Sequence, residues 1–296
     1  MKLTNILLAT KQTALEYYRQ NYDDPKDVLP IELLERKKKE HDEHYASFGL
    51  VKKVLENHNI PYQRVYSPYG AYEEFQGRDM IISVGGDGTV LNTAHYILDN
   101  TPLLTVKSEG DSIGALCRIN ASRFEKAIQQ ILSDDFQLES WTRVEGKFGS
   151  KSDIALNEIA VGQTFFNGMA TYGLKAGGEY EEQRSSKIIV NTGAGSTAWY
   201  DNVACSQGRF PPTEKELRYV VSEDIRVNEY KMLHGRVYPG ETVEITSLMD
   251  FDGSISFDGD KSKRLYSFPI GQKLYVRISD KPLNVIVPSK TELNRT

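Results

Sequence analysis

Gly85-Gly86-Asp87-Gly88-Thr89 sets one carboxylate inside a stretch where three of five residues lack a side chain. Glycines remove Cβ atoms where a phosphate must approach the backbone, and successive N–H groups there can donate to it. A carboxylate beside such a phosphate site suits phosphoryl transfer. It can accept the proton of an attacking hydroxyl while a metal-bound nucleotide supplies the phosphoryl group, a reaction governed by positioning and charge stabilisation. Asp87 is therefore the candidate general base, and Gly85, Gly86, Gly88 and Thr89 are the candidate phosphate loop. The plainer reading, an Asp-Gly hairpin turn, fits poorly between the apolar run Met80 to Val84 and the helical spacing that continues through Leu98.

Three later segments could also bind. Asn157-Glu158 interrupts the apolar run Ala155 to Val161, and burying those groups unpaired costs on the order of 1–3 kcal/mol each, so partners are expected. Such a pair could receive the hydroxyls of a ribose or be satisfied internally. Thr192-Gly193-Ala194-Gly195-Ser196-Thr197-Ala198-Trp199 follows the apolar run Ile188 to Val190 and offers open backbone, hydroxyls and an aromatic ring that can pack on a flat ligand. It reads equally as a strand-to-helix turn with Trp199 in the core. Asp258-Gly259, after Ser254 to Phe257, reads locally as a turn.

The elements that must position these residues divide the chain. Strand patterns at Ile6 to Ala9, Tyr62 to Tyr66 and Met80 to Val84 alternate with helical ones, including one long helix or two short ones between Asp27 and Asn59. Strand, glycine loop, helix is the phosphate-binding order of α/β folds. After Asp135 the texture becomes mostly β, with strands expected at Ala155 to Val161, Lys187 to Asn191, Thr242 to Thr246, Ser254 to Phe257, Lys273 to Ile278 and Asn284 to Val287. A helix is expected around Thr213 to Val221, and a domain boundary near residue 120, before the helical pattern Ser122 to Leu132. His41 and His44 share a helix face with no third ligand nearby and read as part of a solvated surface.

With 296 residues the chain can bury two cores. A net charge of −5, with Lys and Arg spread evenly, leaves no basic stripe for nucleic acid. Cys117 and Cys205, the two cysteines, are expected to be buried thiols in a reducing compartment. No apolar run approaches the roughly 18 residues of a membrane span, and no targeting segment is evident, so a cytoplasmic location is expected.

Taken together, the Gly-Gly-Asp-Gly-Thr loop, an Asn-Glu pair about seventy residues later, a Gly-Ser-Thr-Ala loop and a late Asp-Gly resemble the NAD kinase family in order and spacing. The resemblance runs from the first strand to Pro269–Ile278, and Gln183-Arg184-Ser185-Ser186-Lys187, Ala198-Trp199 and Ser112–Cys117 resemble the mitochondrial-type branch. It implies a Rossmann-like, phosphofructokinase-like α/β domain over 1–120 and a mostly β, sandwich-like domain over 121–280, with 281–296 returning as a strand to the first domain. The activity it implies is transfer of the γ-phosphoryl of ATP, with Mg²⁺ or another divalent metal, to the 2′-hydroxyl of the adenosine ribose of NAD. The NAD site would lie between the domains. By the same resemblance Asp87 activates that hydroxyl, and Gly88, Asn157, Glu158, Arg184, Ser186, Thr197, Ala198, Trp199, Asn202 and Asp258 contact NAD. Asp258 matches an acid that reaches a neighbouring subunit's site, which implies at least a homodimer. The pattern departs from the family at Ser186, where an Asp is usual, at Trp199 for Tyr, at Asn202 for Ser and at Lys107 for Asn, so contacts to the two bases should differ.

Two other readings compete. Lipid kinases of the diacylglycerol or sphingosine type share the glycine loop but carry an Asn-Glu directly after it, where Val90-Leu91-Asn92-Thr93 stands here, and no basic amphipathic helix suggests a membrane surface. A dinucleotide sensor without catalysis would explain the altered pocket positions but not the retained Asp87.

Overall fold

The computed structural model describes residues 2–67, 70–108, 113–165, 168–203, 208–224, 229–259 and 264–289. Cys205 and Ser112 lie outside them. The chain divides into two compact units, residues 1–139 with 284–296, and residues 140–283.

The first unit follows from strands that are apolar on both faces, the pattern of a covered parallel sheet. In chain order it holds β1 (Ile6–Thr10), α1 (Ala14–Asn21), α2 (Ile31–Asn57), β2 (Tyr62–Tyr66), α3 (Tyr72–Phe75), β3 (Met80–Gly85), α4 (Asp87–Tyr96), β4 (Leu103–Lys107), β5 (Ile119–Asn120), α5 (Phe124–Leu132) and β6 (Phe136–Trp141). The sheet runs β2-β1-β3-β4, then β18 (Leu283–Pro288) and β6, with β5 paired to β4. β18 joins parallel to β4 through Val285 and Leu103. The residues between Asp27 and Asn59 form chiefly one helix, α2, whose Phe48, Val51, Val54 and Leu55 pack with Ile6, Leu8, Ile82, Val84, Leu104 and Val106. Phe124, Ala127, Ile128 and Ile131 of α5 join that same core, which is why the division falls at 139 and not near 120.

His44 departs from the expected solvated face. It is 1% exposed, its Nε2 lies 3.0 Å from the Thr10 hydroxyl at the end of β1, and burial pushes its pKa down to about 4. His41 Nδ1 lies 2.8 Å from the hydroxyl of Thr13, which also caps α1, so both histidines tie α2 to the β1–α1 connection.

The second unit holds β7 (Val144–Phe148), β8 (Lys151–Ala155), β9 (Glu158–Gln163), β10 (Ala170–Ala176), β11 (Glu179–Asn191), α6 (Trp199–Val203), β12 (Leu217–Asp224), β13 (His234–Val237), β14 (Val243–Ser247), β15 (Gly253–Phe257), β16 (Leu265–Ser267) and β17 (Lys273–Ile278). The antiparallel sheet runs β16-β15-β9-β11-β10-β14-β17-β7-β8, and β12 pairs with β11 and β13. It curls around one core, bringing Phe148 of β7 within 6.1 Å of Phe257 of β15, ring centroid to centroid. The helix expected around Thr213 to Val221 is instead strand β12. Leu217, Tyr219 and Val221 alternate into the main core while Val220 packs on the opposite face, the period-2 pattern of a strand held by β11 and β13.

No helix among the described residues is long and apolar enough to cross a membrane.

Candidate functional site

In the first unit, β1 has β2 on one side and β3 on the other. Parallel α/β sheets bind ligands at such a reversal, outside the carboxyl ends of the strands. Gly85 ends β3 at that edge, and its carbonyl accepts a 3.0 Å bond from Ser108 N. A Cβ on Gly85 would lie 2.1 Å from Thr89 Oγ1, so only glycine lets the chain turn into α4 over that side chain. Gly86 caps α4, its carbonyl accepting from Thr89 N at 2.9 Å and Val90 N at 3.2 Å. Thr89 is buried beneath the loop, whereas Gly88 is exposed with no heavy atom within 4 Å of a built Cβ. The loop thus presents backbone at Gly88, and the hydroxyl of Thr89 shapes it from below.

Asp87 is the first residue of α4, half-buried, where the helix dipole favours a negative charge. Its Oδ1 accepts a 2.8 Å bond from Leu116 N and its Oδ2 a 3.1 Å bond from Ala115 N. These bonds fix the carboxylate while each oxygen keeps a second lone pair for a proton donor. Cys117 Sγ lies 3.9 Å from the Gly85 carbonyl, and burial, then the charge of Asp87, pushes its thiol up to about 12. It is a packed, protonated neighbour of the loop.

In the second unit, Asn157 and Glu158 stand at the start of β9. Asp258, next to Gly259 and in the left-handed region at φ 53°, is turned inward onto them. Its Oδ1 accepts from Asn157 N at 2.6 Å and its Oδ2 from Leu156 N at 3.1 Å, and Arg264 Nη1 pairs with Oδ2 at 3.0 Å. Arg264 also pairs with Asp153 at 3.1 Å, and the Asp258 side chain is buried, 4% exposed. Burial, then the negative charge of Asp258, pushes the Glu158 carboxyl up to about 8, so it is mostly protonated at neutral pH.

Asn157 Oδ1, Glu158 Oε2 and Asn191 Oδ1 are buried with no hydrogen-bond partner, and Asn191 is the register partner of Glu158 on β11. Thr192 N donates to the Asn157 carbonyl at 2.9 Å, which ties the loop after β11 to this corner. In that loop Gly195 is forced, since a Cβ would lie 2.3 Å from Asn191 Oδ1 and 2.6 Å from the Asn157 carbonyl oxygen. Thr192 Oγ1 donates to the Leu156 carbonyl and Ser196 Oγ to that of Gly193 at 2.7 Å, so these hydroxyls are occupied internally.

A pocket of about 630 Å³, including its open mouth, lies on the face of this sheet opposite the main core. Ser186 and Trp199 line it. Asn157, Glu158, Arg184, Thr197, Ala198, Asn202 and Asp258 are not among its lining residues. Thr197 and Asn202 are exposed on the α6 segment, Ala198 is half-buried there, and Arg184 is exposed on β11. Sequence reasoning missed Gly162, Lys187, Ser254 and Ser256 as lining residues; only Ser254 and Ser256, two apart on β15, share a face by spacing alone.

Among the described residues no three His, Cys, Asp or Glu side chains converge as metal ligands.

Residues 29–136 match the model of the ATP-NAD kinase N-terminal domain. A probable NADH kinase of Oryza sativa subsp. japonica is 29% identical over 274 residues, covering 83% of this chain and 82% of that protein. An NAD kinase of Caldicellulosiruptor bescii is 34% identical over 123 residues, covering 41% of this chain and 46% of that protein, so the match spans about half its length. Among solved structures, an NAD kinase from Archaeoglobus fulgidus in complex with ATP superposes with a TM-score of 0.70 at 18% identity, covering 97% of this chain and 95% of that one. Yeast NADH kinase complexed with NADH superposes with a TM-score of 0.69 at 14% identity, covering 97% and 84%. The α/β unit with its glycine loop at the strand reversal and the curled β unit share the fold of those structures, and residues 29–136 carry the ATP-NAD kinase N-terminal domain.

Proposed function

We propose that this chain transfers the γ-phosphoryl of ATP to the 2′-hydroxyl of the adenosine ribose of NAD or NADH, yielding the 2′-phosphorylated dinucleotide and ADP. The observation that carries this reading is the Asp87 carboxylate, held by the Ala115 and Leu116 N–H groups at the mouth of α4 inside the family-matched segment.

Asp87 accepts the 2′-hydroxyl proton as the ribose oxygen bonds to the γ-phosphorus. The bond from that phosphorus to the bridging oxygen breaks, and ADP leaves with its electron pair. The N–H groups of Asp87 and Gly88 open α4, where donors lack intrahelical acceptors and an anion is favoured over a bare cation. A divalent metal therefore suits the nucleotide phosphates, whose charge it neutralises when bound. In the second unit, the unpartnered acceptors of Asn157 and Glu158 suit the hydroxyl donors of a nucleotide ribose. Ser186 and Trp199 would contact the dinucleotide through the pocket they line, and Arg184, Thr197, Ala198 and Asn202 from its surroundings. Asp258 would serve by fixing the Asn157–Glu158 corner. A homodimer, a cytoplasmic location and placement in the mitochondrial-type branch are proposed on the sequence resemblance, the last with support from the rice relative. The lipid kinase and sensor readings gain nothing from these observations.

The test is incubation of purified protein with NAD, ATP and Mg²⁺, with phosphorus NMR to locate the new phosphate. A 2′-monoester is expected. No product with ATP or with polyphosphate would overturn the reading.

A further inference from the structure

The end of β4 meets the glycine loop on the face of the first sheet that α2 does not cover. Ile82, Val84, Leu104 and Val106 point into the core beneath α2, so the alternate residues Gly85 and Lys107, which are register partners, point the other way. α4 opens on that second face, since a Cβ on Gly85 would lie 2.1 Å from Thr89 Oγ1. Thr105, two residues before Lys107 and on the same face, donates its hydroxyl to the Leu116 carbonyl at 3.0 Å. Lys107 is therefore directed toward the start of α4 and residues 114–117, beside a neighbour with no side chain to screen it.

The half-buried stem of Lys107 is held there. Gly114 stands in the left-handed region at φ 66°, and a Cβ on it would lie 2.8 Å from Lys107 Cδ and 3.4 Å from Cε, so the methylenes run across the Gly114 backbone. The next two residues, Ala115 and Leu116, donate the N–H groups that hold Asp87. The ammonium thus ends beside the strip of backbone that orients the carboxylate. Cys117, packed against the loop, is subject to both charges: beyond burial, Asp87 raises its thiol pKa and Lys107 lowers it. Asp87 takes its bonds from backbone N–H groups, so ammonium and carboxylate border one space without closing on each other.

A simple anion in that space would gain from Lys107 and lose to Asp87, and a simple cation the reverse. A hydroxyl meeting a phosphoryl group satisfies both, because the O–H donates to the carboxylate and the phosphoryl oxygens accept from the ammonium. We propose that Lys107 binds the phosphoryl group in transit, first as the terminal phosphate of the donor and then as the 2′-phosphate of the product. The inference rests on the kinase reading above and adds a substrate-binding cation to it. Lys107 gives up no proton: its N–H groups donate to the phosphoryl oxygens and stabilise their charge as the bond to the leaving oxygen breaks, while the hydroxyl proton goes to Asp87.

The experiment measures Kd by calorimetry for ATP with Mg²⁺, AMP, NADP and NAD, and kcat for 2′-phosphate formation, in the wild type, Lys107→Met and Lys107→Arg. Lys107→Met keeps a stem against Gly114 and removes the charge, so a role confined to packing predicts no change. Expected in Lys107→Met is a loss of about tenfold or more in affinity for ATP and NADP, with AMP and NAD changed by less than about twofold. Its kcat should fall about 10²-fold, and Lys107→Arg should recover most of both losses. Each pair of ligands is compared on one protein, so the ratios of ATP to AMP and of NADP to NAD are insensitive to loss of folded material. Either ratio left at its wild-type value in Lys107→Met overturns the inference and leaves the kinase reading standing. A wild type that forms no 2′-phosphate overturns the kinase reading, and the ATP-to-AMP ratio then decides whether Lys107 holds a terminal phosphate.

Discussion

Gly85–Thr89 and Thr192–Trp199 are two loops of similar texture, each following a buried strand, and they use their small residues for different ends. In the first, Gly88 is exposed with open space around it, and the loop offers backbone donors and one oriented carboxylate outward. In the second, Gly195 is wedged against Asn191 and the Asn157 backbone, and the hydroxyls of Thr192 and Ser196 bond to carbonyls of the same unit. Glycine and hydroxyl content is therefore an ambiguous sign. One loop has open space around its backbone, while the other is packed against the Asn157–Glu158 corner and reaches the pocket only where it ends, at Trp199.

The comparison can be broken at the corner on which the packed loop depends. Asp258→Ala removes the acceptor for Leu156 N, Asn157 N and Arg264 and leaves a buried guanidinium with one acidic partner fewer. Loss of one member of a buried pair costs about 3–5 kcal/mol, which urea unfolding should show. A change under 1 kcal/mol would mean the corner is held by something else.

The protonation of Glu158 sharpens the same point. Its carboxyl is raised from 4.5 to about 8 by burial and then by Asp258, so the folded state holds a proton that the unfolded state releases. The resulting stabilisation is complete below about pH 4.5 and is lost as pH rises through about 8, at up to about 1.4 kcal/mol per pH unit. Glu158→Gln should abolish that slope. Unfolding free energies of the two proteins that run parallel from pH 5 to 8 would contradict a buried, protonated Glu158.

Steric room separates the two loops most directly. Gly195→Ala should cost about 1–3 kcal/mol, because neither the Asn157 backbone nor buried Asn191 can easily move away. Gly88→Ala should stay within about 0.5 kcal/mol, since its Cβ meets nothing, yet should lower turnover because a methyl group then stands where a phosphate approaches. Comparable melting temperatures for the two variants would erase the distinction drawn here.

Much of the first unit was legible in the sequence, because strand, glycine loop and helix follow one another locally and each has its own period. The place of the loop at the reversal of strand order was not, since it depends on β1 lying between β2 and β3. His44 was misread because it sits in a charged stretch of α2 while its own ring reaches Thr10 across the unit. Residues around 213–221 read as a helix because Glu, Lys and Arg break up the apolar positions, and only pairing with β11 and β13 decides for a strand. The Asn157–Glu158 pair was visible as polar residues in an apolar run, but its dependence on Asp258 and Arg264 spans more than a hundred residues. Lys187 gave no signal as a pocket residue, because the pocket exists only once three strands are in register.

The central claim is that a fixed carboxylate at residue 87 takes the proton from the ribose hydroxyl. Asp87→Asn retains the size of the side chain, and its amide oxygen can still accept a bond from one of the two N–H groups, but it cannot act as a base at neutral pH. The decisive measurement is the steady-state rate of 2′-phosphate formation in this variant, with dinucleotide affinity measured in parallel by calorimetry. The account predicts a loss of about 10²–10⁴-fold in kcat with Kd changed little; a kcat equal to that of the wild type would contradict it.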